Sequence, residues 1–199
     1  LAFSKKKADA RKEWLRQYEP GTHLDHSLSE IPIKEFINKE LILFSLADNI
    51  RSIPNVMDGL KPVQRKVIYG SFKHNVFKDT KVSTLAQYIS AATEYHHGDA
   101  ALQQTVVGLA QDFVGTNNIY LLIPKGAFGS RATGGKDAAA SRYIYTHLNK
   151  LSSEIFNTKD QPLLKYMQED DKTVEPEWYA PILPMILVNG SEGIGTGWS

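Results

Sequence analysis

Cysteine is absent from this 199-residue chain. That excludes a disulfide scaffold and any thiolate zinc site. No apolar run approaches the ~18 residues that a membrane-spanning helix needs. Internal repeats and low-complexity tracts are missing too. The basic start, Leu1 to Lys7, is not followed by the apolar stretch of a secretory leader. An initiator Met is also lacking, and Gly197-Trp198-Ser199 is an abrupt end. The sequence is therefore expected to be a piece cut from a longer protein. Its length still allows a substantial core without a staple.

Net charge is almost missing as well, at +1. The total averages unlike parts. Residues 1–50 are balanced, residues 51–150 carry net +6, and residues 151–199 carry net −5. A basic middle beside an acidic end suggests an anion-binding module next to something that does not touch the anion.

Periodicity places the elements. Residues 5–18 read as a helix with Trp14, Leu15 and Tyr18 on one face, stopped by Glu19-Pro20-Gly21. Residues 33–50 read as a long helix whose apolar positions recur near every 3.6 residues. A helix over about 61–75 is expected to bury Val63, Val67, Ile68 and Phe72 and to expose Lys61, Arg65 and Lys66. Residues 83–94, with a Ser cap, and 98–111 read as two helices joined by the tight turn Tyr95-His96-His97-Gly98. That is a helix-turn-helix pattern. Strand patterning follows at 118–123, then a Gly-rich loop from Phe128 to Asp137, then a segment from Ala138 to Leu148. A helix near 161–168, an acidic loop and an apolar strand from Ile182 to Val188 complete the chain. The fold class is α+β and mainly helical: a helix-turn-helix followed by a strand and a Gly-rich excursion describes a winged helix with a β wing.

Four features carry candidate chemistry. The glycines of Gly126 to Asp137 permit close backbone approach to a phosphate, and Arg131 and Lys136 add charge. The bland alternative is a flexible wing loop; Walker A spacing is absent. Arg142-Tyr143 follows. A phenol can attack phosphorus, although phenols ionise only near pH ~10, and a neighbouring guanidinium can both help it and grip a phosphate. Local sequence alone leaves Tyr143 as one of nine tyrosines, with Tyr145 as its nearest competitor. If residues 142–146 form a strand, the two share a face. His96 and His97 stand at the start of a helix, suited to phosphate oxygens; a metal site would need a third ligand that the local sequence does not offer. Glu169-Asp170-Asp171 reads as a solvated acidic loop. Finally, Ile194 is a lone large apolar residue among glycines. It is either a core contact or a wedge inserted between base pairs.

Longer runs are more specific. Glu94-Tyr95-His96-His97-Gly98, Gly126 to Lys136, and Ala138 to Thr146 resemble the eukaryotic DNA topoisomerase II family. So do Asn38 to Leu41, Asp48 to Pro54, and Glu175 to Tyr179. The likeness covers essentially the whole chain. Bacterial gyrase is more distant, with a His-Pro-His pattern where this chain has Tyr95-His96-His97.

The resemblance implies a part of the DNA-breakage core. Residues 1–43 would be a helical linker following a Toprim domain outside the chain, 44–183 the winged-helix cleavage domain, and 184–199 the start of an α/β tower domain. It implies that Tyr143 attacks one strand and becomes joined to its 5′ phosphate, with Arg142 stabilising the transition state. It implies that Arg51, Lys61, Arg65, His96 and His97 grip DNA phosphates and that Ile194 intercalates and bends the duplex. The partners implied are double-stranded DNA and a second copy of the chain, in the nucleus. Mg2+ and ATP serve the whole enzyme and would bind outside these residues, so these residues alone are expected to be inactive. A plain winged-helix DNA-binding module and an anion-binding structural protein are the competing readings. Arg142-Tyr143 behind the loop favours the enzyme.

Overall fold

The computed structural model describes residues 2–198. Residues 1 and 199, which close the first and last expected segments, lie outside the described residues. The chain forms two compact units, Leu1–Pro54 with Glu192–Ser199, and Asn55–Ser191.

In the first unit, α1 (Ala8–Arg16) buries Leu15 and the stem of Arg11. Arg11 Nε donates to the Gly197 carbonyl at 3.2 Å, which ties the two stretches of chain together. The expected long helix is present as α2 (Ile33–Phe36), a π-helical turn (Ile37–Leu41) and α3 (Ile42–Ser52). The π turn is the one irregularity that its even apolar spacing does not announce.

The second unit is built on α4 (Pro62–Lys73), α5 (Val82–Thr93) and α6 (Asp99–Ala110). In α5, Val82, Leu85, Ala86, Ile89 and Thr93 are buried, a spacing that keeps one face inward over three turns. In α6, Leu102, Val106 and Leu109 do the same. Each buried Leu, Ile or Val removes enough apolar surface to contribute about 1.5–3 kcal/mol. Gly70 lets α4 press on α5: a Cβ there would lie 2.9 Å from Ile89 Cγ1. A three-stranded antiparallel sheet closes the core, with β3 (Tyr145–Leu148) central between β1 (Thr80–Lys81) and β2 (Leu122–Lys125). Pro124 lies inside β2, opposite Thr146, which an edge strand tolerates.

Several expectations are corrected. Ser83 does not cap α5; no side chain does. Instead Val82 N donates to the Ile144 carbonyl at 3.1 Å and Ser83 N to the Ser141 carbonyl at 3.3 Å. The strand expected at 118–123 begins only at Leu122. Its first residues bond elsewhere: Ile119 N donates to Asn189 Oδ1 at 2.8 Å, and the Tyr120 carbonyl accepts from Asn149 Nδ2 at 2.9 Å. The helix expected near 161–168 is a 3-10 turn (Thr158–Leu163) around Pro162, followed by β4 (Tyr166–Glu169). The acidic loop is the tight turn of a hairpin to β5 (Lys172–Pro176). Asp170 and Asp171 both have positive φ, +47° and +61°, as the hairpin's twist demands and as Asp accepts. The apolar strand at 182–188 is instead a short helix, α8 (Met185–Val188), entered from Pro184. Pro184 has no N–H to lose at that position. Between β3 and Asn157, α7 (Lys150–Ile155) is capped by the Asn149 side chain. No described helix is long and apolar enough to cross a membrane.

Candidate functional site

Tyr143 sits on a turn, not on a strand. Its N–H donates to the Ala140 carbonyl at 2.9 Å, and β3 begins two residues later. The shared-face argument for Tyr143 and Tyr145 therefore does not apply. Tyr143 is 67% exposed, and the Arg142 guanidinium lies 4.9 Å from its ring centroid, a cation–π geometry. Tyr145 is 38% exposed and paired in the sheet between Lys81 and Lys125. Of the two phenols, Tyr143 combines greater reach with an adjacent cation.

The turn is held from both sides. The carbonyls of Ser141 and Ile144, which flank Arg142-Tyr143, accept the first free N–H groups of α5. Those N–H groups would otherwise be orphans of the helix end. Ile144 is buried and packs on Gly126, whose φ is +114° and whose Cβ, if present, would lie 2.8 Å from Ile144 Cγ2. Gly126→Ala is expected to lower stability by about 1–3 kcal/mol, through backbone strain together with this overlap. Chemical denaturation measures it; an unchanged midpoint would mean that Ile144 and the loop take up the methyl freely.

The Gly-rich loop is more ordered than its composition suggests. Phe128 is buried, and its carbonyl accepts from Gln111 Nε2 at 3.0 Å. Gly129 and Gly135 touch backbone to backbone, since a Cβ on Gly129 would lie 2.6 Å from Gly135 Cα. Asp137 Oδ1 accepts from Ser130 N at 2.7 Å and from the Thr133 hydroxyl. Thr133 first, then Ser130, hold its carboxyl down at about 2. Arg131 opens a short 3-10 turn (Arg131–Thr133), and it and Lys136 remain exposed. A groove of about 640 Å³ runs between this loop and α6, lined by Gln103, Gln104, Gln111, Gly135, Lys136 and Ser141 among others. The Ser141 hydroxyl donates to Gln103 Oε1 at 2.5 Å. The two helices flanking the Arg142-Tyr143 turn are thus both bonded to it. The glutamines carry no signal in the sequence, because amide side chains on a helix look like ordinary surface.

His96 and His97 are exposed in the turn before α6, entered through Gly98 with φ +89°. His97 packs edge-on against Tyr95, with centroids 5.6 Å apart. His96 Nε2 lies 3.5 Å from Asp170 in the hairpin turn, and Glu94 pairs with Lys172. The hairpin therefore supplies His96 with neighbours that local sequence does not reveal. Ligand atoms of Glu94, His96 and Asp170 fall within 4.8 Å of one another. The Lys172 ammonium holds the Glu94 carboxyl below its usual range, which makes this an ion-pair cluster in character.

Three basic residues of α4 and its N-terminus differ from their expected exposure or use. Lys61 is half-buried and its N–H donates to Gln64 Oε1 at 2.9 Å. Lys66 points inward: Nζ donates to the Thr93 carbonyl at 2.8 Å and to Glu175 at 3.0 Å, with Glu169 at 3.3 Å. Burial raises the Glu175 carboxyl, and Lys66 offsets part of that rise. Arg65 is corrected most sharply. Its side chain is 4% exposed and forks onto the fully buried Asp58, at 2.7 and 2.9 Å. A guanidinium committed this way is not free to hold a phosphate. Asp58 also accepts from Leu60 N and Tyr179 N, both at 2.9 Å.

The other unit carries Arg51 and Ile194. Arg51 is at the end of α3, with Nη2 2.7 Å from Asp48 Oδ1 and more than half of its side chain exposed. Ile194 is 84% exposed. That disposes of the core-contact alternative within this structure.

A family model for the A-type chain of DNA gyrase/topoisomerase IV matches residues 51–199. The chain belongs to that family. Residues 1–49 match a second model, the C-terminal associated domain of TOPRIM. Among curated relatives, DNA topoisomerase 2 of Saccharomyces cerevisiae is 75% identical over the whole chain, and that of Candida glabrata is 69% identical. This topoisomerase-family chain spans 14% of the length of each. The crystal structure of the Plasmodium falciparum topoisomerase II DNA-binding, cleavage and re-ligation domain matches all of this chain with a TM-score of 0.85 at 52% identity, over 27% of its own length. The mixed helix and sheet architecture is therefore that of a topoisomerase II cleavage domain, as the resemblance implied.

Proposed function

We propose that this chain is the strand-breaking part of an ATP-dependent type II DNA topoisomerase, an isomerase, and that Tyr143 is its nucleophile. The Tyr143 oxygen attacks a backbone phosphorus of duplex DNA. A phosphorus–oxygen bond to the tyrosine forms as the phenol gives its proton to water, the bond to the 3′ oxygen breaks, and that oxygen takes a proton from water and leaves as a 3′ hydroxyl. The 5′ end stays on the enzyme. The phosphotyrosyl bond keeps the energy of the phosphodiester, so the reverse attack reseals the strand without a further energy source. The observation that carries this reading is the exposed Tyr143 beside Arg142, on a turn bonded at both flanking carbonyls to α5. Membership of the family supports it.

In this reading Arg142 faces the charge that develops on the phosphoryl oxygens. Residues 44–183 act as a winged helix, α5 and α6 being its helix-turn-helix and the loop at 126–137 its wing. Residues 1–43 link it to what precedes, and residues 184–199 begin the tower. His96, His97, Arg131, Lys136, Lys61 and Arg51 contact phosphates. Arg65, forked onto the buried Asp58, is a structural brace and contacts no phosphate. Ile194 is the wedge that opens a base step. Because one Tyr143 cuts one strand, a double-strand break takes two copies, hence a homodimer. Passage of a second duplex through the break and resealing change DNA topology, in the nucleus.

Divalent metal would stabilise the phosphoryl charge. Glu94, His96 and Asp170 do not fit that task, because Lys172 already holds Glu94 and an imidazole is a poor ligand for Mg2+. On the resemblance to the family, Mg2+ and ATP belong to other parts of the whole enzyme.

The deciding experiment traps covalent DNA adducts of the full-length protein and maps the modified peptide. Tyr143 is the expected site; an adduct elsewhere overturns the assignment. Arg142→Ala is expected to keep DNA binding and to slow single-turnover cleavage by about 10²–10³-fold, the scale of losing one charge-stabilising group. Unchanged cleavage would reject the role given to Arg142.

A further inference from the structure

The Asp48 carboxylate receives four donors. Oδ1 accepts from Arg51 Nη2 at 2.7 Å and from Ser52 Oγ at 3.1 Å. Oδ2 accepts from Thr196 N at 3.0 Å and from Thr196 Oγ1 at 2.6 Å. Arg51 and Ser52 are one helical turn away. Thr196 is 148 residues further along the chain and two residues past Ile194.

The segment around Ile194 lies flush on the end of α3. A Cβ on Gly193 would collide with the Ser52 carbonyl and come within 2.8 Å of Pro54 Cδ. One on Gly195 would collide with Asn49 Oδ1 and come within 2.9 Å of Ile53 Cδ1. Glycine on either side of Ile194 is therefore a packing requirement, whereas Ile194 itself points into solvent. Leaving such a side chain exposed forgoes the free energy of burying it. The backbone beneath it is nonetheless closely fitted: Asp48 accepts two hydrogen bonds from Thr196, and Arg11 Nε donates to the Gly197 carbonyl.

We propose that Asp48 is a positioning residue that fixes the Ile194 wedge and Arg51 as a single rigid reader of bent DNA. The proposal rests on the reading of Ile194 as a wedge and Arg51 as a phosphate contact. Its chemical content is that one acceptor-only group serves both. Arg51 would otherwise swing on a flexible stem, and Thr196 would lose both of its hydrogen bonds to α3. A carboxylate accepts four donors at once; an Asn in its place turns an NH2 toward donors. The Thr196 hydroxyl first, and then Arg51, hold the Asp48 carboxyl well below the usual carboxylate range.

The test compares DNA bending with DNA binding in the full-length protein. Energy transfer between dyes on the ends of a duplex reads the bend at saturating protein, and anisotropy reads affinity separately. Asp48→Asn is expected to shift the balance between bent and straight complexes by roughly tenfold toward straight, the effect of losing a charge-assisted hydrogen bond. Affinity for DNA too short to bend should change far less. Thr196→Val keeps the Asp48–Arg51 pair and removes only the hydroxyl; it should shift bending in the same direction by a smaller factor, and it decides the matter if Asp48→Asn fails to fold. Bending like the wild type in Thr196→Val and in any folded Asp48→Asn protein, with bending lost in Ile194→Ala, would overturn the role of Asp48 and leave the wedge standing. Normal bending by Ile194→Ala would instead remove the wedge reading itself.

Discussion

Tyr143→Phe is expected to leave DNA binding intact and to abolish the covalent protein–DNA adduct, and with it relaxation of supercoiled DNA. The substitution removes one oxygen from an exposed ring, so the fold has little reason to respond. The Arg142 guanidinium keeps its ring partner, because the cation–π contact is made with the face and not with the hydroxyl. Chemistry and folding are thus separated in one variant. Denaturing gel analysis of trapped complexes checks it, with detection of labelled DNA on the protein as readout. Persistence of adduct would move the nucleophile to Tyr145, which sits in the sheet between Lys81 and Lys125.

Asp58→Ala should produce the largest loss of stability, about 3–5 kcal/mol. It leaves the Arg65 guanidinium buried without its counter-charge, and it orphans the N–H groups of Leu60 and Tyr179. The pairing itself need not be a large net gain, since two charges were taken from water to make it. Removing both, as in Asp58→Leu with Arg65→Met, should therefore recover part of the loss. The two backbone donors remain unpaired and keep the recovery incomplete, at about 1–3 kcal/mol each. Denaturant titration of the single and double variants separates the terms. A single variant within about 1 kcal/mol of wild type, on the scale of an ordinary surface change, would refute the brace.

These two residues also mark how far the sequence can be read. The helices α4, α5 and α6 are legible because their apolar residues recur on one face, and nothing tertiary competes with that signal. Arg65 misleads for the same reason: on a helical wheel it belongs with the charged face. Its partner lies across the Asp58-Gly59 turn, and Tyr179 lies 121 residues from Asp58. The early strand at 118–121 fails because Asn189 and Asn149 claim its backbone groups from distant parts of the chain. The acidic hairpin is hidden by its turn, since Asp-Asp resembles a solvated loop until both residues are seen at positive φ. Within the candidate site, local sequence leaves Tyr143 and Tyr145 in competition. The family runs imply the choice; in the structure Tyr143 lies on a turn and is the more exposed of the two. Asp48 belongs to one of the family runs, but its tie to Thr196 is invisible locally, because 148 residues separate the two.

The two carbonyls that cap α5 have a mechanical consequence. Both peptide groups flanking Arg142 and Tyr143 are spent on the end of α5, whose inner face is packed in the core, so the backbone under the phenol has little slack. A nucleophile mounted this way cannot chase a phosphate that arrives out of line. In the proposed reaction the adjustment then falls on the substrate: the duplex must be the compliant partner, and sequences that deform cheaply would reach the tyrosine more often than stiff ones. Preference among cleavage sites would come from the flexibility of DNA, with no base needing to be read.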